Sequence, residues 1–580
     1  MKRLIPLLLF FVYSTASYSQ DMGFPAPTGD VGLAKQYISY LMYAPALEEL
    51  KLAYKKKPDD EKVNELMAEC YLNLNDDKTK AIPHLEFLLK KEKYNPSVLF
   101  DLGEAYHMTN QLDKALEFYN RYKKEGALKE TEEVDRRIEC VNTAKEMMKF
   151  PISVTFTNLG KDINTEYPEI TPFISSDESQ ILYTSRRKGT TGNVVSYEGF
   201  EPDVFITELK SNDKWSKAKS IGATINTALP EEITSLSPEG NYIVFTTSDE
   251  IGMQQIRICY KGPKARGFDK AEIPPAPINE PKSNQLAGAV SNDGQILIFS
   301  SDRPGGYGGY DLYVAQKLPN GTWGQPINLG SKINTKYDEN FPNFGVDQNI
   351  LYFASTGHTN MGGFDIFKTV FSKEAHAWNT PTNMGYPINT TDNDYSISFN
   401  RSGRNAYLSR NRTGGFGNTD IYQLTFKNID PDYTTISVNL KAFSKYETEF
   451  KKADSLILVH KKAIESGKLA QPATDSLNTV IEGLKTKKEG LNPVTGNIIT
   501  IKEINKNIDY GEYQPNLKTG RFVMILEPGS YELTVQSEKY KISKTKITVL
   551  DKSNFVAEKQ MDVVLHKGEL DNPAPAATPK

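Results

Sequence analysis

The sequence is poor in the residues that build disulfide frameworks and metal centres. It contains 3 cysteines and 6 histidines in 580 residues. Cys70, Cys140 and Cys259 are widely spaced and odd in number, which predicts buried small side chains; a Cys70–Cys140 bridge stays open, because both lie in one helical region. No HExxH pair occurs, so neither a metal nor a cofactor is expected.

The chain also lacks a charge excess and long apolar runs. Its 69 basic and 73 acidic side chains nearly cancel, so no overall field would recruit nucleic acid. A basic start, an apolar run and then small residues predict a secretory signal peptide over 1–20. No later run approaches the roughly 20 apolar residues of a transmembrane helix. We therefore expect an exported protein with no transmembrane segment.

A helical repeat follows the leader. Similar Ala-Leu or Ala-Ile patterns begin at Ala46, Ala81 and Ala115, at intervals of 35 and 34 residues. They resemble tetratricopeptide repeats, in which small residues let two helices approach closely. The resemblance implies a helical repeat domain over 30–149, with three repeats, a capping helix near Glu130 to Met148 and a concave protein-binding face. An irregular helical bundle is the alternative.

A second, longer repeat follows. Each unit has an Ile-Asn pair, an alternating strand, a strongly β run, a glycine-rich turn and a strand that opens with Asp. The pairs recur at 62, 53, 55 and 55 residues and are Ile163-Asn164, Ile225-Asn226, Ile278-Asn279, Ile333-Asn334 and Ile388-Asn389. Four strands per unit are typical of a β-propeller blade.

These units resemble WD40-like (PD40) repeats, which implies a β-propeller over 150–428. We count five blades, with six as the alternative. Neither a tryptophan nor a further Asn-Leu-Gly turn follows the strand that begins at Asp420, and a strand-like segment, Ile152 to Thr157, precedes the first unit. We therefore predict that this N-terminal segment completes the last blade and removes the free sheet edges.

The stretch SDRPGGYGGYDLY, Ser301 to Tyr313, invites comparison with a nucleotide-binding loop. A third glycine is missing where Asp311 stands, and a strand follows instead of a helix. It is interpreted as a blade turn whose glycines allow positive φ. Its tyrosines, Tyr307 and Tyr310, are candidate contacts for a partner.

Catalytic residues are not predicted, because GxSxG and Walker A motifs are absent and the recurrent carboxylates are repeated structural positions. Hydrogen bonds within the turns are expected of these carboxylates, with calcium bound near one blade as the alternative. The carboxylates that recur in this way are Asp311, Asp365, Asp420, Glu232, Glu339 and Asp394.

The C-terminal region changes pattern again. Apolar residues alternate at Phe522, Met524 and Leu526 as in a half-buried strand. The region resembles a carboxypeptidase regulatory-like, transthyretin-type β-sandwich over 432–568, with a helical insertion over 444–488. The tail, 569–580, has no core-forming residues and is expected to be disordered.

The fold class is therefore multidomain α + all-β. The domain order resembles a Bacteroidota periplasmic family that ends in an OmpA-like peptidoglycan-binding domain, one member of which belongs to the type IX secretion system. Nothing after Gly568 matches that domain, so peptidoglycan contact is expected only through a partner. The resemblance implies a periplasmic protein at the outer membrane.

Two functions remain open besides an enzyme with an unrecognised site. The first is a non-enzymatic scaffold that binds proteins of an outer-membrane complex. The second is a glycan- or peptide-binding module in the periplasm or at the cell surface, suggested by the aromatic residues in the turns.

Overall fold

A computed structural model describes residues 27–566 except 75–76, 126–130, 193, 197–198, 249–251, 264, 266, 432, 443, 468, 491–496, 517–519 and 538–539. The predicted signal peptide and tail lie outside the described residues. The chain divides into two compact units. The first comprises residues 1–210 and 214–429, and the second comprises residues 211–213 and 430–580.

The first unit begins with helices that pack in sequence order. They are α1 (Val31–Ser39), α2 (Tyr43–Lys56), α3 (Glu61–Asn73), α4 (Ala81–Leu89), α5 (Ser97–Met108), α6 (Leu112–Glu125) and α7 (Thr131–Met147). The side chain of Asp60 caps α3 by accepting hydrogen bonds from the backbone N–H groups of Lys62 and Val63, in the first turn of the helix. The segment predicted as a capping helix is α7, which confirms its helical state.

Small residues in these helices stand where neighbouring helices approach closely. The repeated alanines, Ala46, Ala81 and Ala115, are fully buried. A Cβ atom at Gly103 would lie 2.5 Å from the ring of Tyr119. A larger residue would therefore force α5 and α6 apart, which explains the glycine at this position.

Antiparallel sheets fill the rest of the first unit. The strands are β1 (Val154–Asn158), β2 (Glu169–Ile174), β3 (Gln180–Ser185), β4 (Val194–Ser196), β5 (Gly199–Phe200), β6 (Asp203–Glu208), β7 (Lys219–Ser220), β8 (Glu232–Leu236), β9 (Tyr242–Ser248), β10 (Gln254–Tyr260), β11 (Gln285–Val290), β12 (Ile296–Ser301), β13 (Asp311–Gln316), β14 (Ile327–Asn328), β15 (Glu339–Phe344), β16 (Ile350–Ser355), β17 (Asp365–Ser372), β18 (Ala377–Trp378), β19 (Thr382–Asn383), β20 (Ser398–Phe399), β21 (Asn405–Arg410) and β22 (Asp420–Phe426).

Apart from a two-stranded ribbon, β4–β5, the described strands of the first unit form five sheets that follow the sequence order. Sheet one contains β2, β3, β6 and β7. Sheet two contains β8 to β10, sheet three β11 to β14 and sheet four β15 to β19. Sheet five contains β20 to β22, and β1 pairs with β22 as its outermost strand. The predicted pairing of the N-terminal segment with the last unit is confirmed.

Hydrogen bonds connect each sheet to the next in a closed order. Ile233 N donates to Thr184 Oγ1, which joins sheets two and one at 3.0 Å. The other neighbouring pairs are joined by Thr234 Oγ1 to Gly288 O, Ser300 Oγ to Glu339 O, Asn343 Nδ2 to Ile397 O, and Ile174 N to Ser398 Oγ. The last of these bonds connects sheet one with sheet five, so the fifth sheet lies beside the first.

The recurring Ile-Asn pair fastens each loop to the preceding sheet. Asn334 accepts from Leu312 N at 2.8 Å and donates to Leu312 O at 2.9 Å, as a strand residue would. The same two bonds join Asn164 to Ile421, Asn226 to Val204, Asn279 to Ile256 and Asn389 to Ile366. The adjacent isoleucines are buried. The pair therefore recurs because each loop needs one anchoring amide and one apolar side chain.

The second unit contains two sheets around one core. Its elements are β23 (Thr434–Ala442), α8 (Ser444–Glu465), α9 (Gln471–Gly490), β24 (Asn497–Glu503), β25 (Ile508–Tyr513), β26 (Arg521–Leu526), β27 (Gly529–Ser537), β28 (Ser543–Val549) and β29 (Glu558–Leu565). The sheet orders are β26-β23-β29 and β25-β24-β27-β28. The predicted alternation is confirmed, since Phe522, Met524 and Leu526 are buried while their neighbours in β26 are exposed.

Candidate functional site

The glycine-rich turns connect the second and third strands of sheets three, four and five. In each turn an aspartate at the start of the third strand accepts hydrogen bonds from the turn's own backbone. Asp311 accepts from Tyr307 N at 2.6 Å and from Gly308 N at 3.0 Å. Asp420 accepts from the two equivalent N–H groups and Asp365 accepts from that of Met361, and each of the three aspartates also accepts from an asparagine amide. The predicted turn-stabilising role of these carboxylates is confirmed.

The glycines in these turns are needed mainly for space. Only Gly305 in the turn of sheet three has a positive φ, +92°. A Cβ atom at Gly308 would lie 2.1 Å from the carbonyl oxygen of Tyr337 in the next loop. The interpretation that the glycines of this turn allow positive φ is therefore correct for Gly305 and wrong for the other three, at which no positive φ occurs.

A second set of recurrent carboxylates caps the loops that follow the Ile-Asn pairs. Glu339 accepts from Thr335 N and from Ser355 Oγ, at 2.8 and 2.7 Å. Asp394 accepts from Thr390 N in the same way. In sheet two, however, Glu231 makes this bond, four residues after Thr227. The choice of Glu232 as the recurrent position was wrong by one residue, because the loosely similar spacing does not reveal which residue faces the loop.

Burial makes Glu339 a source of pH-dependent stability. Desolvation raises the pKa of Glu339 from 4.5 to about 7, and its hydrogen bonds offset part of that effect. The unfolded chain releases this proton near the ordinary pKa, so between these two values the folded protein holds it more tightly. The free energy of unfolding should therefore fall as the pH rises from about 4.5 to about 7 through this group.

Replacing Glu339 with Gln should remove this slope, because an amide resembles the protonated acid. The free energy of unfolding of Glu339→Gln minus that of the parent should rise by on the order of 3 kcal/mol between pH 5 and pH 8, because only the parent loses this stability as the pH rises. Urea unfolding at several pH values measures the effect. The exposed Glu239→Gln change is the control. If the free energy of unfolding changes with pH in the same way for the parent and for Glu339→Gln, Glu339 is not the source of this pH dependence.

One position in the glycine turns differs strongly in exposure. The residue whose N–H caps the aspartate is Tyr307 in sheet three, Met361 in sheet four and Phe416 in sheet five. Tyr307 is 54% exposed and Phe416 is 50% exposed, whereas Met361 is fully buried. Tyr310, the other tyrosine predicted to contact a partner, is partly buried, and desolvation raises its pKa. Only Tyr307 of that pair is freely presented.

Met361 is buried because the helices of the same unit pack on this turn. The ring of His107, at the end of α5, donates from Nε2 to the carbonyl oxygen of Met361 at 2.9 Å. Desolvation lowers the pKa of His107 to about 3, so the ring is neutral and the bond needs no counter-charge. Beside it, the hydroxyl of Thr391 donates to Asn110 at 3.2 Å. The turn of sheet four is thus covered by the chain's own helices.

Buried arginines on α7 reinforce this contact. Arg136 donates to the carbonyl oxygen of Thr356 at 3.0 Å, and its guanidinium lies 5.0 Å from the ring centre of Tyr337. Glu133 accepts from both Arg136 and the neighbouring Arg137, each at 2.9 Å. The positive charges are therefore paired within the helix while Arg136 also reaches sheet four, which is how a buried charge is tolerated.

The described part of the chain contains neither a disulfide nor a cluster of metal-ligating side chains. The three cysteines are free and buried, which confirms the prediction of small apolar side chains and leaves no Cys70–Cys140 bridge. The described residues contain no group of His, Cys, Asp and Glu side chains that could hold a metal ion. No described helix combines the length and apolar character needed to cross a membrane.

No family model matches the sequence, and no curated protein is similar to it. Among solved structures, TolB from Acinetobacter baumannii is similar at 17% identity and a TM-score of 0.28, over 45% of this chain and 55% of that chain. The chain thus spans about half of TolB.

Two enzymes are similar to a comparable extent. The catalytic domain of a GH62 α-L-arabinofuranosidase from Coprinopsis cinerea has 11% identity and a TM-score of 0.30, over 48% of this chain and 99% of that one. An α-L-arabinofuranosidase from Lactobacillus brevis has 13% identity and a TM-score of 0.30, over 44% and 90%. These similarities are too weak to carry an activity or a partner to this chain.

Proposed function

We propose that this chain is a non-enzymatic periplasmic scaffold that binds other proteins of an outer-membrane complex. In this proposal α1 to α7 are tetratricopeptide-like repeats, sheets one to five are the blades of a five-bladed β-propeller, and the second unit is a transthyretin-like sandwich. The hydrogen bond between sheets one and five supports five blades over six, because it leaves no place for another sheet between them.

The exposure of the glycine turns carries the functional proposal. Three equivalent turns carry a large side chain at the same position. In sheet four this residue, Met361, is covered by the helices, whereas the other two are exposed. Tyr307 and Phe416 lie in the equivalent turns of the two neighbouring sheets. Exposed aromatic side chains on rigid turns give large contact areas at low entropic cost, as protein-binding surfaces require. A partner segment would pack on these turns as the chain's own helices pack on Met361.

Site-specific crosslinking tests the proposal. A photoreactive phenylalanine analogue at position 307 or 416 should crosslink to an outer-membrane or periplasmic protein in intact cells. The same analogue at Ile327, which is 68% exposed on β14, is the control. The double change Tyr307→Ser and Phe416→Ser should reduce co-purification of that protein at least about tenfold, because each aromatic anchor contributes about 1–2 kcal/mol.

The outcome separates this function from the alternative. Crosslinks that are equal at 307, 416 and 327, or absent from all three, would contradict the scaffold. Loss of binding to an oligosaccharide in the double variant, without any protein crosslink, would favour the glycan-binding module. Retained co-purification by the double variant would exclude these turns as the docking surface.

A further inference from the structure

The two helices of the second unit form an antiparallel hairpin. α8 and α9 are joined by residues 466–470 and pack on each other. Ala453 on α8 and Ile481 on α9 are 3% and 4% exposed, so both face the other helix. Partly buried residues continue this seam at intervals of three or four positions, and they are Ile457, His460 and Ile464 on α8 and Thr474, Leu477 and Leu484 on α9.

The two broad faces of this hairpin differ in charge. In antiparallel helices, the residues just before the seam positions lie on one face, and the residues just after them lie on the other. The first face, called here the neutral face, consists of Lys452, Leu456, Val459, Ala463, Ala473, Ser476, Val480 and Gly483. The second face consists of Asp454, Leu458, Lys461, Glu465, Asp475, Asn478, Glu482 and Lys485. The second face is thus charged at most positions, whereas the neutral face has a single charge, that of Lys452.

Large apolar side chains on the neutral face are exposed. Leu456 is 46% exposed, Val459 is 59% exposed and Val480 is 44% exposed. A helix pair usually turns its polar residues to water and its apolar residues to a protein surface. Burial of these three side chains against another apolar surface would be favourable, and apolar residues grouped in this way mark an interaction site.

The hairpin itself does not explain why Gly483 is a glycine. Gly483 lies inside α9, where glycine lowers helix stability relative to alanine. Its φ is not positive, and no described atom lies within 4 Å of its Cβ position. Neither the backbone conformation nor the packing of the described residues therefore requires glycine here. A further helix that approaches α9 closely from the neutral face would require it.

Charge and side-chain size favour a second copy of the same hairpin as the occupant. A nearly uncharged face offers little to a charged partner, whereas its own copy is equally uncharged. If a twofold axis runs parallel to the helices, α8 of one copy lies on α9 of the other. The large Leu456 and Val459 of α8 then meet α9 beside Gly483, where there is room for them. The neutral face is therefore complementary to itself in both charge and shape.

We propose that the neutral faces of two copies pack together, so that their four helices form a bundle and the chain is a dimer. The helices contain 22 and 20 residues. Each face therefore measures roughly 30 Å by 20 Å, and the contact buries on the order of 1,200 Å² in total. Such an area lies at the lower end of specific interfaces, which predicts a Kd on the order of 10 μM. The face shares no residue with the glycine turns, so either proposal can fail while the other stands.

Sedimentation equilibrium of the full chain, from about 1 to about 100 μM, measures dimer formation. The parent should change from monomer to dimer within this range. Val459→Glu should weaken the dimer at least about tenfold, because the new carboxylate would be desolvated in the interface. Leu458→Glu is the matched control, since Leu458 is 55% exposed and lies on the charged face of the same helix. It should form dimers like the parent.

A second variant tests the close approach without weakening the helix. Leucine favours the helical state more than glycine does, so Gly483→Leu should keep the helical circular dichroism of the parent at about 1 μM. It should nevertheless weaken the dimer at least about tenfold, because the added side chain fills the space that α8 of the other copy needs. A parent that stays monomeric at about 100 μM, equal effects of Val459→Glu and Leu458→Glu, or parent-like dimerisation of Gly483→Leu would each overturn the proposal. A monomeric chain that binds a different protein through Val459 would also overturn it.

Discussion

Replacing Gly308 with Ala should destabilise the first unit by at least about 2 kcal/mol, because overpacking against fixed atoms cannot be relieved by a rotamer change. The new Cβ atom would lie 2.1 Å from Tyr337 O and 2.6 Å from Thr335 O. Both oxygens belong to the backbone of the loop held by Asn334. The loop or the turn must therefore move, which would strain the hydrogen bonds of Asp311. Urea unfolding of the full chain, followed by tryptophan fluorescence, measures the loss.

The equivalent glycines in sheets four and five provide a replicate of this test. A Cβ atom at Gly362 would lie 2.5 Å from Thr390 O, and one at Gly417 would lie 2.6 Å from Thr165 O. Both alanine variants should lose similar stability. Gly267→Ala is the control, since nothing lies within 4 Å of its Cβ position. If Gly308→Ala unfolds at the same urea concentration as Gly267→Ala, the close approach is not what requires glycine.

Replacing Arg136 with Ala should release the helices from sheet four. The change leaves the buried carbonyl of Thr356 without this donor and removes the guanidinium from the ring of Tyr337. Breaking a buried charged contact on one side costs about 3 kcal/mol, because the remaining partner stays desolvated. We expect faster amide hydrogen exchange in α5, α7 and the turn around Met361, with sheets two and three unchanged.

A matched arginine distinguishes this effect from a general loss of helix stability. Arg121 on α6 forms an i,i+4 ion pair with Glu125, and both side chains are more than a third exposed. Arg121→Ala should change the opening free energy derived from hydrogen exchange by no more than about 0.5 kcal/mol, because exposed ion pairs contribute little to stability. Unchanged exchange around Met361 in Arg136→Ala would mean that His107 and the apolar contacts alone hold the helices on the turn.

Periodic patterns in the sequence were sufficient for much of the fold. Alternation at Phe522, Met524 and Leu526 predicts a half-buried strand because side chains point to opposite faces at every step. The recurrent Ile-Asn pairs predict repeated β units, and the strand-like segment before the first pair predicts the strand that completes sheet five. The recurrent Asp311 could be assigned to a turn because repetition argues against a unique catalytic role.

Other features depend on neighbours that are distant in sequence. Met361 looks like any turn residue until α5 lies on it, and its burial follows from a contact across about 250 residues of chain. The need for glycine at Gly308 comes from the backbone of the next loop and not from its own φ. Glu231 and Glu232 are adjacent, so only the direction of each side chain decides which one caps the loop.

The sequence by itself determined the element types, their order and the repeat positions, because local periodicity and turn chemistry depend on residues close together in the chain. Only the tertiary structure decided which turns are exposed, which glycines are spatially required and which carboxylate of an adjacent pair caps its loop. These properties arise where one repeat packs against the next or against the helices. The sequence of a single repeat does not specify which atoms of its neighbour will pack against it.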